Sequence, residues 1–97
     1  MRIISRKTLK DFWHSHRDAE DPLKAWYHEV AATRWRTPQD LKSRFRSADI
    51  LPGNRAVFNI KGNAYRLIVK IHYNTGIVFI RYVGTHADYN RINAGTI

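Results

Sequence analysis

Residues 55–89 read RAVFNIKGNAYRLIVKIHYNTGIVFIRYVGTHADY, and this stretch decides the fold. Val, Ile, Phe and Tyr crowd into three runs, the composition of half-buried strands. Two short glycine-containing breaks, Gly62-Asn63 and Asn74-Thr75-Gly76, separate the runs. Strand-length runs joined by such breaks predict a three-stranded antiparallel meander.

Side chains alternate between the two faces of a strand, so the turns decide which residues meet. A two-residue turn Gly62-Asn63 between Lys61 and Ala64, with Gly62 at positive φ, opposes Ile60 to Tyr65, Phe58 to Leu67 and Ala56 to Val69. Those pairs are apolar. The opposite face then carries Arg55, Asn59 and Lys61 against Lys70, Arg66 and Ala64. A three-residue second loop, with Gly76 left-handed, pairs Tyr73 with Ile77, Ile71 with Phe79 and Leu67 with Val83 on the apolar face. It sets Lys70 with Ile80, Ile68 with Tyr82 and Arg66 with Gly84 on the polar face. Carried onward, the same parity brings His86 diagonal to Arg66. A four-residue loop is the competing register, and it sends His86 to the other side. Gly84 is expected to bend the end of the strand.

Working outward, Arg2–Ile4 is a short edge strand, and Ser5 is placed to cap a following helix. Leu9, Phe12, Trp13 and His16 recur at helical spacing on one face of it. Asp21-Pro22 signals a second helix, with Asp21 as cap and Pro22 at the first helical position. Its stripe is Leu23, Trp26, Tyr27, Val30 and Ala31, so Asp18–Asp21 becomes a tight link and the two helices a hairpin against the sheet. Trp13, Trp26 and Tyr27 lie in these stripes and are assigned to the core rather than to base stacking. Thr37-Pro38-Gln39-Asp40 repeats the start signal for a short helix through Leu41 and Phe45. Arg34, Arg36, Lys42, Arg44 and Arg46 form either a solvated face or a phosphate-contacting edge. Ser47–Asn54, with Pro52-Gly53, reads as a loop. The order of elements is that of an α+β fold, and 97 residues fit one domain.

Seventeen Lys and Arg against eight Asp and Glu give a net charge of +9. A small basic domain meets nucleic acid, an anionic membrane or an acidic protein. The basic residues are not gathered on one amphipathic helix, which disfavours the membrane. Cysteine is absent, leaving no disulfide or thiolate metal site, in keeping with a reducing cytoplasm. No HExxH pattern occurs and carboxylates are few, so no metal cofactor is expected. The start, MRIISRKTLKDFW, lacks the uninterrupted apolar core of a secretory signal.

The polar face of the meander gathers Arg66, His86 and Tyr89 as candidate catalytic residues, with Arg55, Asn59, Lys61, Lys70 and Arg81 as phosphate-binding candidates. Arginine offers paired donors to phosphate, and lysine a point charge. Histidine moves protons near neutral pH. Cleaving RNA through its own 2′-hydroxyl needs a base, an acid for the leaving oxygen and a cation for the phosphorane. Such a face supplies those functions, yet the same residues also suit plain phosphate binding. His14, His16, His28 and His72 are expected to be surface or packing residues.

VFNIKGNAYRLIVKIHY followed by VGTHADYN resembles the HigB family of bacterial toxins, within the RelE-like superfamily. GNAYRL and THADY are the more specific motifs, and Trp26 and Trp35 also match positions where that family keeps aromatics. The resemblance runs through the whole chain and implies a RelE-like microbial RNase fold. It implies a ribosome-dependent mRNA endonuclease that cuts in the ribosomal A site and is neutralised by a helix-turn-helix, HigA-like antitoxin. By that pattern Arg66 stabilises the phosphate, His86 is the acid or a shared acid–base, and Tyr89 stacks on or orients the nucleotide. Many RelE-like relatives carry arginine where His86 stands. Two other readings remain open: a non-catalytic toxin that binds a protein such as gyrase, and an RNA-binding module without chemistry.

Overall fold

A computed structural model describes residues 1–97. The chain runs β1 (Arg2–Ile4), α1 (Arg6–Ser15), a 3₁₀ turn (Arg17–Ala19), α2 (Glu20–Ala31), α3 (Pro38–Arg44), β2 (Asp49–Leu51), β3 (Arg55–Ile60), β4 (Tyr65–His72), β5 (Ile77–Thr85) and α4 (His86–Tyr89). The three long strands are the expected meander. They form the centre of a five-stranded sheet ordered β1-β5-β4-β3-β2, with β1 parallel to β5 and the remaining pairs antiparallel. The edge strand β2 falls inside the stretch expected to be a loop. Pro52-Gly53 turns the chain back, so Asp49, Ile50 and Leu51 pair with Val57, Ala56 and Arg55.

The helices cover one face. Leu9 and Trp13 of α1, and Leu23, Trp26 and Val30 of α2, bury their stripes against Ala56, Phe58, Leu67, Val69 and Ile80. The three tryptophans are core residues: Trp26 meets Phe58 edge-on with centroids 5.3 Å apart, and Trp35 stacks on Phe58 at 6.1 Å. Ala31 lies past the stripe and is exposed. α3 begins as expected, the amide of Asp40 donating to Thr37 Oγ1 at 3.3 Å and Asp40 Oδ2 accepting from the Arg36 amide at 2.9 Å.

Two helix starts differ from expectation. Ser5 makes no side-chain cap; it turns the chain between β1 and α1 at φ 76°, and its carbonyl accepts from the Thr8 amide. Asp21 is no cap either, because the 3₁₀ turn runs directly into α2, leaving Asp21 and Pro22 in the first helical turn. The Asp18 carboxylate is spent elsewhere, accepting from Lys61 Nζ at 2.6 Å and from the Tyr65 hydroxyl. Those two bonds tie the interhelical link to the tip of the β3–β4 hairpin. His14 is exposed, whereas His16 stacks on Phe12 at 4.2 Å, so the two act as surface and packing residues.

Candidate active site

The candidate residues lie on the face of the sheet turned away from the helices, and the hairpin registers determine their layout. β3 and β4 pair as expected, with Ile60–Tyr65, Phe58–Leu67 and Ala56–Val69 towards the helices and Asn59–Arg66 and Arg55–Lys70 away from them. Gly62 has φ 63° as the turn requires, and Lys61 adopts φ 53° beside it. That left-handed residue leaves the polar face. Lys61 turns to Asp18 on the helical side, apart from Arg66 and Lys70.

The second hairpin departs from the expected register and then returns to it. Near the turn, His72 pairs with Ile77, Ile71 with Val78, Lys70 with Phe79 and Val69 with Ile80, so the loop holds four residues rather than three. The expected pairs Tyr73–Ile77, Ile71–Phe79 and Lys70–Ile80 do not form. A bulge opposite Ile68/Val69 then leaves Arg81 as an extra residue, and beyond it Ile68–Tyr82, Leu67–Val83 and Arg66–Gly84 pair as expected. A bulge that inserts one residue resets the alternation. The longer turn alone would have sent the end of β5 to the wrong face, and Arg81 restores it.

Three rows therefore cross this face: Asn59–Arg66–Gly84, Val57–Ile68–Tyr82 and Arg55–Lys70–Phe79. The middle row is apolar, with Val57 and Ile68 fully buried outside the helix-side core. Arg66 and Lys70 therefore stand on rows flanking the apolar one, as the expected Ile68–Tyr82 pair requires. Arg55 is engaged with its own chain, donating from Nε to the Ile97 carbonyl at 2.8 Å and from Nη1 to the Gly53 carbonyl at 3.4 Å. The Asn59 amide donates to the Ser47 carbonyl at 3.3 Å, and its Oδ1 is buried without a partner. Lys70 is half-buried on the face, and Arg81 is exposed at the bulge.

The first row continues into a compact cluster. β5 runs straight through Gly84 to Thr85, where Thr85 Oγ1 accepts from the Asp88 amide at 3.1 Å and starts the single-turn α4. The His86 amide donates to the Ala64 carbonyl at 3.2 Å, locking α4 to the start of β4. His86 Nδ1 thereby sits 3.4 Å from Arg66 Nη2, and the Arg66 guanidinium lies over the Tyr89 ring at 5.3 Å from its centroid. Arg66 Nη2 also donates to Asn63 Oδ1 at 2.8 Å. Arginine has donors and no acceptor, so in the Arg66–His86 contact Nδ1 is the unprotonated nitrogen. The ring proton of the neutral imidazole is then on Nε2. Arg66, His86 and Tyr89 come together; Lys61 and Arg55 do not join them.

Asn63, Tyr82 and Thr85 were not anticipated. Thr85-His86-Ala87-Asp88 has the spacing of an N-cap followed by an acidic third residue, a signal for a helix start that a strand reading passes over. Tyr82 is held above Gly84: a methyl on Gly84 would lie 2.7 Å from Tyr82 Cζ and closer still to the hydroxyl oxygen. Gly84 thus makes room for a ring rather than bending the strand. Burial, and then the nearby Asp88 carboxylate, push the Tyr82 hydroxyl above the ordinary tyrosine range. All five residues of the Arg/Lys cluster before and along α3 are exposed; Arg34 donates to the Trp35 and Asn74 carbonyls, Lys42 to the Ala48 carbonyl and Arg44 to Glu29, while the Arg36 and Arg46 side chains make no hydrogen bond. No group of three or more His, Cys, Asp or Glu side chains is placed to hold a metal, and no helix is long and apolar enough to cross a membrane.

The sequence model of the HigB toxin family, described as a RelE-like toxic component of a toxin–antitoxin system, matches residues 19–92. The chain belongs to the HigB toxin family. That match spans α2 through α4 and includes every residue of the Arg66–His86–Tyr89 cluster. The mRNA interferase toxin HigB of Escherichia coli (strain K12) is 29% identical over 96 residues, covering 97% of this chain and 92% of its own. The mRNA interferase HigB of Shigella flexneri matches to the same extent. The mRNA interferase HigB of Escherichia coli O6:H1 is 22% identical over 94 residues, 95% of this chain and 91% of that relative. As a HigB toxin, the chain has an antitoxin for a partner, and its α+β architecture is consistent with the RelE-like description.

Proposed function

We propose that this HigB toxin is an endoribonuclease that cuts translated mRNA on the ribosome in the cytoplasm. A helix-turn-helix, HigA-like antitoxin keeps it silent until needed. The meeting of Arg66, His86 and Tyr89 in one cluster carries this reading. The curated relatives, named mRNA interferases, support the same substrate.

In the proposed reaction the ribose 2′-oxygen attacks the adjacent phosphorus, its proton leaving to water, and the P–O5′ bond breaks. The products are a 2′,3′-cyclic phosphate and a 5′-hydroxyl. Arg66 stabilises charge on the phosphorane oxygens, where fixed cationic donors act most strongly. His86 acts as acid from its imidazolium form, giving the Nε2 proton to the departing 5′-oxygen and returning to the neutral form whose Nδ1 accepts from Arg66. The Tyr89 ring holds the guanidinium plane and offers its edge to a base. Lys70 and exposed Arg81 lie further along the face, where they guide the flanking backbone.

Inducing the chain in cells and mapping mRNA 5′ ends tests this. New ends within coding regions are expected from the wild type and should be absent with Arg66→Ala. Growth arrest with intact transcripts, or with damaged DNA instead, would overturn the reading in favour of a protein target.

A further inference from the structure

Tyr82 stands in the apolar middle row, yet its hydroxyl extends over Gly84 into the first row. Gly84 is the cross-strand partner of Arg66. Side chains directly opposite on one face have Cβ atoms about 5 Å apart, so an oxygen seated over Gly84 lies beside the stem of Arg66. From the other side Asp88 is close enough to affect its ionisation. The hydroxyl thus stands over Gly84, on the row that Arg66 occupies and two residues before α4. It has no hydrogen-bond partner within the chain, and it is not among the polar atoms sealed from solvent. Arg66 Nη1 is likewise free and unsealed, while Nη2 is held by Asn63 and His86.

Resting on the active-site reading above, we propose that Tyr82 is a further substrate-binding residue. Its hydroxyl donates to a non-bridging oxygen of the scissile phosphate, alongside Arg66 Nη1. A phenol kept protonated is a donor, which is the form the site requires. Its ring stands opposite buried Ile68 and over the open backbone at Gly84, a placement that presents the hydroxyl to an arriving phosphate. Glycine at 84 is required by the same placement, because any Cβ there would displace the hydroxyl. If Tyr82 merely filled the middle row, phenylalanine would serve equally well.

The test uses a cell-free translation extract and an mRNA bearing a single phosphorothioate, in each configuration, at the linkage the wild type cuts. A hydrogen bond to a charged group supports a loss of about tenfold or more for Tyr82→Phe. In the wild type, sulfur at the oxygen held by Tyr82 should slow cleavage. In Tyr82→Phe that sulfur penalty should largely vanish, a change that altered packing would not produce. Gly84→Ala should lose the same sulfur sensitivity. Tyr82→Phe at the wild-type rate, or with an unchanged sulfur penalty in both configurations, overturns the proposal. Arg66→Ala separates the two readings: if it is inactive while Tyr82→Phe is fully active, the Tyr82 assignment alone fails. If Arg66→Ala itself cuts normally, the active-site assignment fails first.

Discussion

The β3–β4 hairpin holds one register from Arg55–Lys70 to Ile60–Tyr65, whereas the β4–β5 hairpin changes register once between its turn and its far end. The first hairpin anchors structure: its tip is fastened to the helices through Lys61, Tyr65 and Asp18. The second carries the proposed chemistry, since His86 and Tyr89 come directly after the end of β5. A regular hairpin gives reliable burial. A bulged one gives an adjustable strand end, because a bulge adds twist and re-aims the residues beyond it. The cluster depends on Arg81 being surplus in the pairing as much as on Arg66 and His86 being present.

The largest expected effect separates the ends of the two hairpins. His86→Gln should reduce mRNA cleavage by about 100-fold or more, the scale of losing a positioned proton donor, with thermal stability unchanged. Lys61→Gln, at the tip of the other hairpin, should leave cleavage within about twofold, because an exposed ion pair contributes little. Equal losses from the two substitutions would dissolve the division between an anchoring and a chemical hairpin.

Two single-residue deletions in β5 probe the bulge. Deleting Val83 moves Gly84 opposite Leu67, empties a helix-side position and sends His86 to the wrong face. This should cost about 2–5 kcal/mol, as for truncating buried aliphatic residues, and abolish cleavage. Deleting Arg81 removes the unpaired residue and leaves Val69–Ile80 and Ile68–Tyr82 intact. That variant should unfold cooperatively near the wild-type temperature while cutting about tenfold more slowly, because both the added twist and the Arg81 charge beside the flanking backbone are gone. Denaturation curves and cleavage rates of the two deletions should therefore diverge; similar denaturation would show that Arg81 is not surplus.

The same count explains what the sequence disclosed and what it concealed. The first register was legible because Gly62 marks a turn and one-residue slips would mix Phe58 and Leu67 with Asn59 and Arg66. The second was not, since two irregularities of opposite sense, a longer turn and a bulge, cancel before Arg66 is reached. Neither leaves a signal of its own: Arg81 is an ordinary residue in a strand-like run. The pairing of Arg66 with Gly84 was therefore anticipated through a turn that does not exist in that form. Asp18 reads as part of a loop because its partners, Lys61 and Tyr65, are 43 and 47 residues away. β2 escapes notice since three residues carry too little periodicity to stand out from a loop.

A smaller effect is expected at the Gly62 turn. Nothing lies within 4 Å of a Cβ built there, so substitution costs only the left-handed backbone. Gly62→Ala should cost about 1–2 kcal/mol and spare cleavage. Gly84→Ala, without an unusual backbone angle, should show its effect at the site through Tyr82. Chemical denaturation and cleavage assays on the pair would sharpen the contrast between a turn glycine and a site glycine.

The smallest effect concerns the bond that makes the first hairpin an anchor. Hydrogen bonds from Lys61 and then Tyr65 hold the Asp18 carboxyl below its ordinary value of 3.8. A carboxyl depressed in the folded state binds its proton more readily when unfolded, so its stabilising contribution is fully present above the unfolded value. The contribution is lost as pH falls from about 3.8 through the lower folded value. Asp18→Asn removes the titration, so its melting temperature should fall less steeply than that of the wild type across this acid range, with the two curves differing most above it. Tyr65→Phe should show part of the same flattening, because one of the two donors remains. Parallel acid limbs for wild type and Asp18→Asn would show that the hairpin tip is held by packing of Tyr65 against Phe12 and His16, with the carboxylate a bystander.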